Sequence, residues 1–155
     1  MARKIAVILG DGIGPDVIKA ALNVLDGIGF DAEFVMVDAG YSRWEREGVQ
    51  IAEEDVELVK SCDACLKGPT LTPPGPGTFK SVAVTLRKAL DLYANVRPVK
   101  SRKGARCLFD NVDMVIVREN TEGLYSGLEE RTPEGAMAKR VITRRGSERI
   151  ARFAF

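Results

Sequence analysis

Lys4-Ile5-Ala6-Val7-Ile8-Leu9, followed by Gly10-Asp11-Gly12-Ile13-Gly14-Pro15, is the stretch on which the reading of this chain turns. A short apolar run without polar alternation is a strand buried on both faces, as in a parallel sheet, and the closely spaced glycines take the chain out of it in a tight turn. A helix is expected next. Pro15 suits its first position, Asp16 complements its amino-terminal dipole, and Ile18, Ala21, Leu22, Leu25 and Ile28 recur at three- and four-residue spacing as one buried face. Gly27 and Gly29 supply the stop. The turn has two readings: its backbone N–H groups can border an anion or ligand at the helix terminus, or its glycines are required only by packing. Pro15 stands where a full G-x-G-x-x-G pattern needs glycine, so the dinucleotide fingerprint is incomplete.

Outward from this unit, a second strand is predicted over Ala32 to Val37, a helix over Glu53 to Lys60 and a third strand over Asp63 to Leu66. Strands alternating with helices predict an α/β fold. Residues 68–78, GPTLTPPGPGT, have almost no apolar anchor, and their length marks a working loop. Helical spacing returns from Phe79 to Asp91 through Val82, Leu86 and Leu90. Leu92 to Val99 reads as extended and holds an Arg97-Pro98 pair, and residues 100–106 form a basic connector. Strands are expected at Met114 to Arg118 and Ala138 to Thr143, with a polar, hairpin-like stretch from Thr121 to Gly135 between them. Gly146-Ser147 reads as the cap of a last helix carrying Ile150, Phe153 and Ala154. That helix stops at Phe155 after about two turns without a carboxyl-terminal signal, which predicts that the chain is part of a longer protein.

Composition narrows the partners. With 155 residues, 45% hydrophobic, 29% charged and a net charge of +1, the chain is an ordinary globular protein with no global field for nucleic acid or an anionic membrane. No apolar run approaches the roughly 18 residues that span a bilayer, and no signal pattern follows Met1, so a cytoplasmic location is expected. Three cysteines, Cys62, Cys65 and Cys107, do not make a disulfide framework, and Cys62-x-x-Cys65 at a helix-to-strand junction, with Ala64 and Leu66 read as buried, is structural. The absence of histidine removes Ser-His-Asp and Cys-His nucleophiles and His-ligated zinc.

Anion recognition must therefore be local. Arg87 lies on a helix, Arg97 on an extended segment and Arg118 at the polar end of the strand DMVIVREN. Guanidinium groups so distributed either converge on carboxylates, which they bind bidentately, or are three unrelated surface arginines. Lys139, Arg140, Arg144, Arg145, Arg149 and Arg152 read as a solvated basic face.

Taken in order, GDGIGPDV at 10–17, KGPTLTPPGPGTFKS at 67–81, LRKALDLYANVRPVKS at 86–101 and DMVIVRENTEGLYSG at 113–127 resemble the isocitrate and isopropylmalate dehydrogenase family over nearly the whole chain. The resemblance implies an α/β fold that is not a Rossmann fold, with a mixed sheet and flanking helices. Residues 1–99 would form the first part of a large domain and 100–155 an incomplete small one. It implies that Arg87, Arg97 and Arg118 clamp substrate carboxylates, that Tyr125 assists protonation after decarboxylation, and that Ile13 in the glycine turn and Thr72 in the loop border the nicotinamide of NAD or NADP. Mg²⁺ or Mn²⁺ is implied too, with its ligands and the catalytic lysine lying downstream, so that the chain alone would be inactive. The parent would be a homodimer or larger, sharing its active site. Ser81 stands where a hydroxyl favours isocitrate, which leads to oxidation of isocitrate to 2-oxoglutarate as the expected reaction. Ala83 departs from the asparagine usual in isocitrate enzymes and keeps homoisocitrate and isopropylmalate open. A non-catalytic regulatory subunit of the same family, and a generic phosphate-binding domain resting on the glycine turn, are the readings from other classes.

Overall fold

Strand β1 (Arg3–Ile8) runs through the middle of a parallel sheet ordered β2-β1-β3, between β2 (Ala32–Met36) and β3 (Ala64–Lys67). This arrangement belongs to a computed structural model that describes residues 2–75 and 77–155; Met1, and Pro76 within the predicted loop, lie outside the described residues. The chain divides into two compact units, Met1–Leu90 and Asp91–Phe155. The division falls ahead of the domain boundary expected at Val99 because the extended segment that follows Leu90 takes its hydrogen-bond partner from later in the chain. Units of this chain are not the domains of a longer protein, for which the boundary at Val99 remains a proposal.

In the first unit the central position of β1 explains its composition. Ala6, Val7 and Ile8 are all 0% exposed, and a fully buried Val or Ile contributes roughly 1.5–3 kcal/mol. Helix α1 (Gly14–Gly27) begins with Pro15 at its first turn, and Gly29, at φ 65°, closes its end by donating to the Asp26 carbonyl at 2.9 Å. Of its expected buried face, Ile18 is buried and Ala21, Leu22 and Leu25 are half-buried; Ile28 is exposed, since the helix ends before it. Helix α3 (Glu53–Ser61) packs Val59, and α4 (Val82–Ala89) packs Val82 and Leu86, into one core with Ala6, Ile8, Val37 and Ile51. Helix α4 starts later than the spacing predicted because Phe79 packs instead against Trp44, their ring centroids 5.3 Å apart.

Helix α2 (Tyr41–Glu47) was not expected from the sequence. Its start has no local cap. The carboxylate of Asp11 does that work from the glycine turn, accepting the backbone N–H of Tyr41 at 2.9 Å and of Ser42 at 3.2 Å. The same carboxylate accepts the N–H of Leu71 at 2.8 Å, while the Asp11 N–H donates to the Pro69 carbonyl at 2.8 Å. The long loop is thereby fastened to the turn. Partial burial works to raise the Asp11 pKa, but the bonds from Tyr41, Leu71 and Ser42 prevail and hold it below its ordinary 3.8. A carboxylate held below its unfolded value stabilises the fold above that value and loses the contribution as pH falls through the folded pKa. The expected result is that Asp11→Asn lowers the urea midpoint at neutral pH and that its gap from the parent protein closes as pH falls below 3.8 and through the lowered folded pKa. A gap independent of pH would refute the ionic role.

In the second unit β4 (Ala94–Lys100) pairs antiparallel with β5 (Asp113–Glu119), and β6 (Gly123–Thr132) pairs antiparallel with β7 (Gly135–Val141) through a register shift between Gly123 and Leu128. The α/β class thus holds with flanking helices, and the parallel and antiparallel pairings occur in separate sheets. The last helix, α5 (Arg144–Ala154), is capped by Thr143 rather than by Gly146-Ser147; the Thr143 hydroxyl accepts the Gly146 N–H at 2.9 Å. Gly146 is buried in the first turn, where a Cβ would lie 2.4 Å from the Glu122 carboxylate. The Cys62-to-Cys65 junction also differs from expectation. Ala64 is exposed and Leu66 only half-buried because β3 is an edge strand here, and both cysteines are free thiols.

Candidate active site

Arg118, near the end of β5, lies opposite Asn95 on β4, so the two side chains share a face of the pair. Two residues along β4 the alternation returns to that face, and there stands Arg97, whose Nε donates to Asn95 Oδ1 at 3.2 Å. Arg97 and Arg118 are thus diagonal neighbours with an amide between them. Arg118 also donates from Nη2 to the Tyr125 hydroxyl at 2.6 Å, with its guanidinium 5.4 Å from the centroid of that ring. Three of the five expected substrate and proton-transfer residues, Arg97, Arg118 and Tyr125, therefore lie close together within the second unit. Sequence reading could find them because Arg118 and Tyr125 belong to one motif.

Arg118 and Tyr125 line a cavity of about 400 Å³, with Glu119, Glu122, Arg140 and Ile142 among its walls. Its two carboxylates are already engaged. Burial would raise the Glu119 pKa, but hydrogen bonds from Thr121, Glu122 and Asn120 outweigh burial and lower it. The Glu122 carboxyl is held low chiefly by the Thr143 hydroxyl at 2.6 Å and the Thr143 N–H at 2.9 Å. Among the described residues none of Arg97, Arg118 and Arg140 has a carboxylate within ion-pair distance. The cavity therefore offers the guanidinium groups of Arg118 and Arg140 without an ion-pair partner among the described residues, an arrangement suited to a carboxylate ligand.

Arg140, expected on a solvated face, is exposed and also lines this cavity. Arg149, expected there too, has a side chain only 21% exposed and reaches Asp91, Thr121 and Glu119. Arg149 was missed because a run of basic residues does not reveal which of them the fold turns inward.

The remaining expected site residues lie in the first unit. Arg87, half-buried on α4, contributes to lowering the pKa of Lys67 at the end of β3, although burial of that lysine is the larger cause. Ser81 occupies the N-cap position of α4, yet its hydroxyl makes no capping bond. Ile13, at the N-cap of α1, is 70% exposed, and Thr72 is half-buried in the loop. Asp11 ties the segments that carry Ile13 and Thr72 to each other through the Leu71 N–H and the Pro69 carbonyl. The glycine turn meets a packing demand as well, because a Cβ on Gly10 would lie 2.0 Å from the Pro69 carbonyl oxygen and one on Gly14 2.3 Å from that of Leu9. Among the described residues no three Cys, Asp or Glu side chains gather as ligands for a metal ion.

The family description isocitrate/isopropylmalate dehydrogenase matches residues 4–155. A 3-isopropylmalate dehydrogenase of Methanothermobacter thermautotrophicus is 51% identical over 99% of this chain and 45% of its own length. An isocitrate/homoisocitrate dehydrogenase of Thermus thermophilus is 49% identical over 99% of this chain and 46% of its own. Among solved structures, isocitrate dehydrogenase from Methylococcus capsulatus superposes with a TM-score of 0.90 at 42% identity, over 97% of this chain and 46% of that one. The chain spans less than half the length of these relatives. Matched from Lys4 to its last residue, it belongs to the isocitrate/isopropylmalate dehydrogenase family.

Proposed function

We propose that this chain is part of an enzyme that oxidatively decarboxylates isocitrate to 2-oxoglutarate with NAD or NADP and Mg²⁺ or Mn²⁺. The observation that carries this reading is the Arg118–Tyr125 hydrogen bond at 2.6 Å, with Arg97 on the same sheet face as Arg118. When bound, NAD or NADP would accept a hydride from a 2-hydroxy acid with a neighbouring carboxylate as its hydroxyl releases a proton to solvent, and the resulting β-keto acid would lose carbon dioxide. Arg97 and Arg118 hold the substrate carboxylates in register by charge-assisted hydrogen bonds and so lower the barrier by positioning. Tyr125 donates its hydroxyl proton to the carbon that decarboxylation leaves electron-rich, and the Arg118 guanidinium stabilises the phenolate so formed. Ile13 and Thr72 would border the nicotinamide, and the metal ligands and the lysine would come from outside the described residues.

The complete enzyme is proposed as a cytoplasmic homodimer or larger homo-oligomer. Two observations are consistent with this. No helix among the described residues is long and apolar enough to cross a membrane, and β6 and β7 leave Leu124, Leu128 and Met137 exposed.

Ser81 supports isocitrate because its hydroxyl, unused in capping, is available to an extra carboxylate. A second reading, isopropylmalate, is favoured by Ala83 and by the relative named for that substrate at 51% identity. The test is kcat/KM of the complete enzyme for isocitrate, homoisocitrate and isopropylmalate, in the parent and in Ser81→Leu. The parent should prefer isocitrate, and the substitution should shift preference toward isopropylmalate by about tenfold or more, since a buried polar group left unpaired discriminates strongly. Unchanged preference would remove Ser81 from the argument, and turnover of none of the three would overturn the activity.

A further inference from the structure

Arg149 sits away from the cavity, yet its hydrogen bonds lead to the pair at the centre of it. One face of its guanidinium lies over the Tyr93 ring, 4.4 Å from the centroid, and Nη1 donates to both oxygens of Asp91 at 2.9 and 3.0 Å. Nη2 donates to the Thr121 hydroxyl at 2.7 Å and lies 3.6 Å from Glu119 Oε1. Nε is buried without a partner among the described residues. A solvated surface arginine would not give up that donor.

Thr121 passes the constraint on. Its hydroxyl donates to Glu119 Oε1 at 2.6 Å, while Glu119 Oε2 accepts the N–H groups of Thr121 at 2.9 Å and Glu122 at 2.7 Å. The turn from 119 to 122 is thus wrapped around one carboxylate. Helix α5 grips this turn at a second point, where Thr143 binds the Glu122 side chain. Arg118 immediately precedes the turn, and the Tyr125 N–H donates back to the Glu122 carbonyl at 3.3 Å.

We infer that Arg149 is a positioning residue: acting through Thr121 and Glu119, it fixes the turn whose two ends carry Arg118 and Tyr125, and so sets the phenol for proton transfer. This inference rests on the proton-donor reading of Tyr125. Displacement of a reacting group by about an ångström costs on the order of a hundredfold in rate, so a residue with no access to substrate can still govern turnover.

A double-mutant cycle in the complete enzyme tests it. Arg149→Met should lower kcat about ten- to a hundredfold with little change in substrate KM, and in a Tyr125→Phe background the same substitution should cost less than about threefold, because residues acting on one step are not additive. Thr121→Val, which leaves the Asp91 and Tyr93 contacts of Arg149 in place, should show the same non-additivity and serves if Arg149→Met fails to fold. Additive losses with a strongly impaired Tyr125→Phe enzyme would overturn the positioning role alone. Unimpaired turnover in Tyr125→Phe would overturn the proton-donor reading, and this inference with it.

Discussion

Replacement of Arg118 by leucine in the complete enzyme is expected to lower kcat/KM for isocitrate by about three orders of magnitude, roughly 4 kcal/mol, and to leave dinucleotide affinity nearly intact. The size follows from what each partner loses. Arg118 makes no ion pair with any described carboxylate, so its removal strands no protein charge; it leaves a substrate carboxylate without its charge-assisted partner. It also takes from the Tyr125 hydroxyl the donor 2.6 Å away, so the substitution impairs both binding and the proton step. Stability should change little, because Arg118 is an exposed residue on a strand pair. Steady-state kinetics paired with a cofactor titration checks this, and an equal loss of substrate and dinucleotide affinity would count against a carboxylate role.

Gly10→Ala should destabilise the chain by about 3 kcal/mol or more, against about 1 kcal/mol for Gly12→Ala two residues away. Both glycines have positive φ, 77° and 59°, so both substitutions bear the left-handed strain of an L-residue. Only Gly10 faces an obstacle. Its new methyl would lie 2.0 Å from the Pro69 carbonyl oxygen, a backbone atom that cannot swing aside, whereas Gly12 has nothing within 4 Å. Because folded proteins are stable by only about 5–15 kcal/mol, the first change should be conspicuous in a thermal melt. Equal losses at the two sites would show that turn conformation, and not contact with the loop, requires glycine at position 10.

The sequence disclosed β1, its turn and α1 because the signals there are local: a continuous apolar run, glycines, a proline at the helix start. Helix α2 stayed hidden because the group that caps it, Asp11, is thirty residues away in the chain. The same holds where α5 begins, since the carboxylate seated at Thr143 and Gly146 comes from Glu122. In the site, Arg118 and Tyr125 were legible because the motif that contains them also folds into the strand and turn that bring them together. Arg149 was not, for periodicity shows that a residue is charged and on a helix or strand, and only tertiary packing decides whether its charge points to water. No sequence signal would have found Arg149 short of knowing that Tyr93 and Asp91 lie beneath it.

The carboxylate of Asp11 closes one interval of 30 residues and another of 60. Contacts so distant in sequence form late, since the chain entropy of bringing their ends together must be overcome first. The segment with Thr72 should therefore acquire its shape only after all three parallel strands have assembled. During refolding, a protease added at intervals should find residues 70–75 cuttable long after amides in β1 are shielded from exchange, and should lose its grip on them as the last step of maturation.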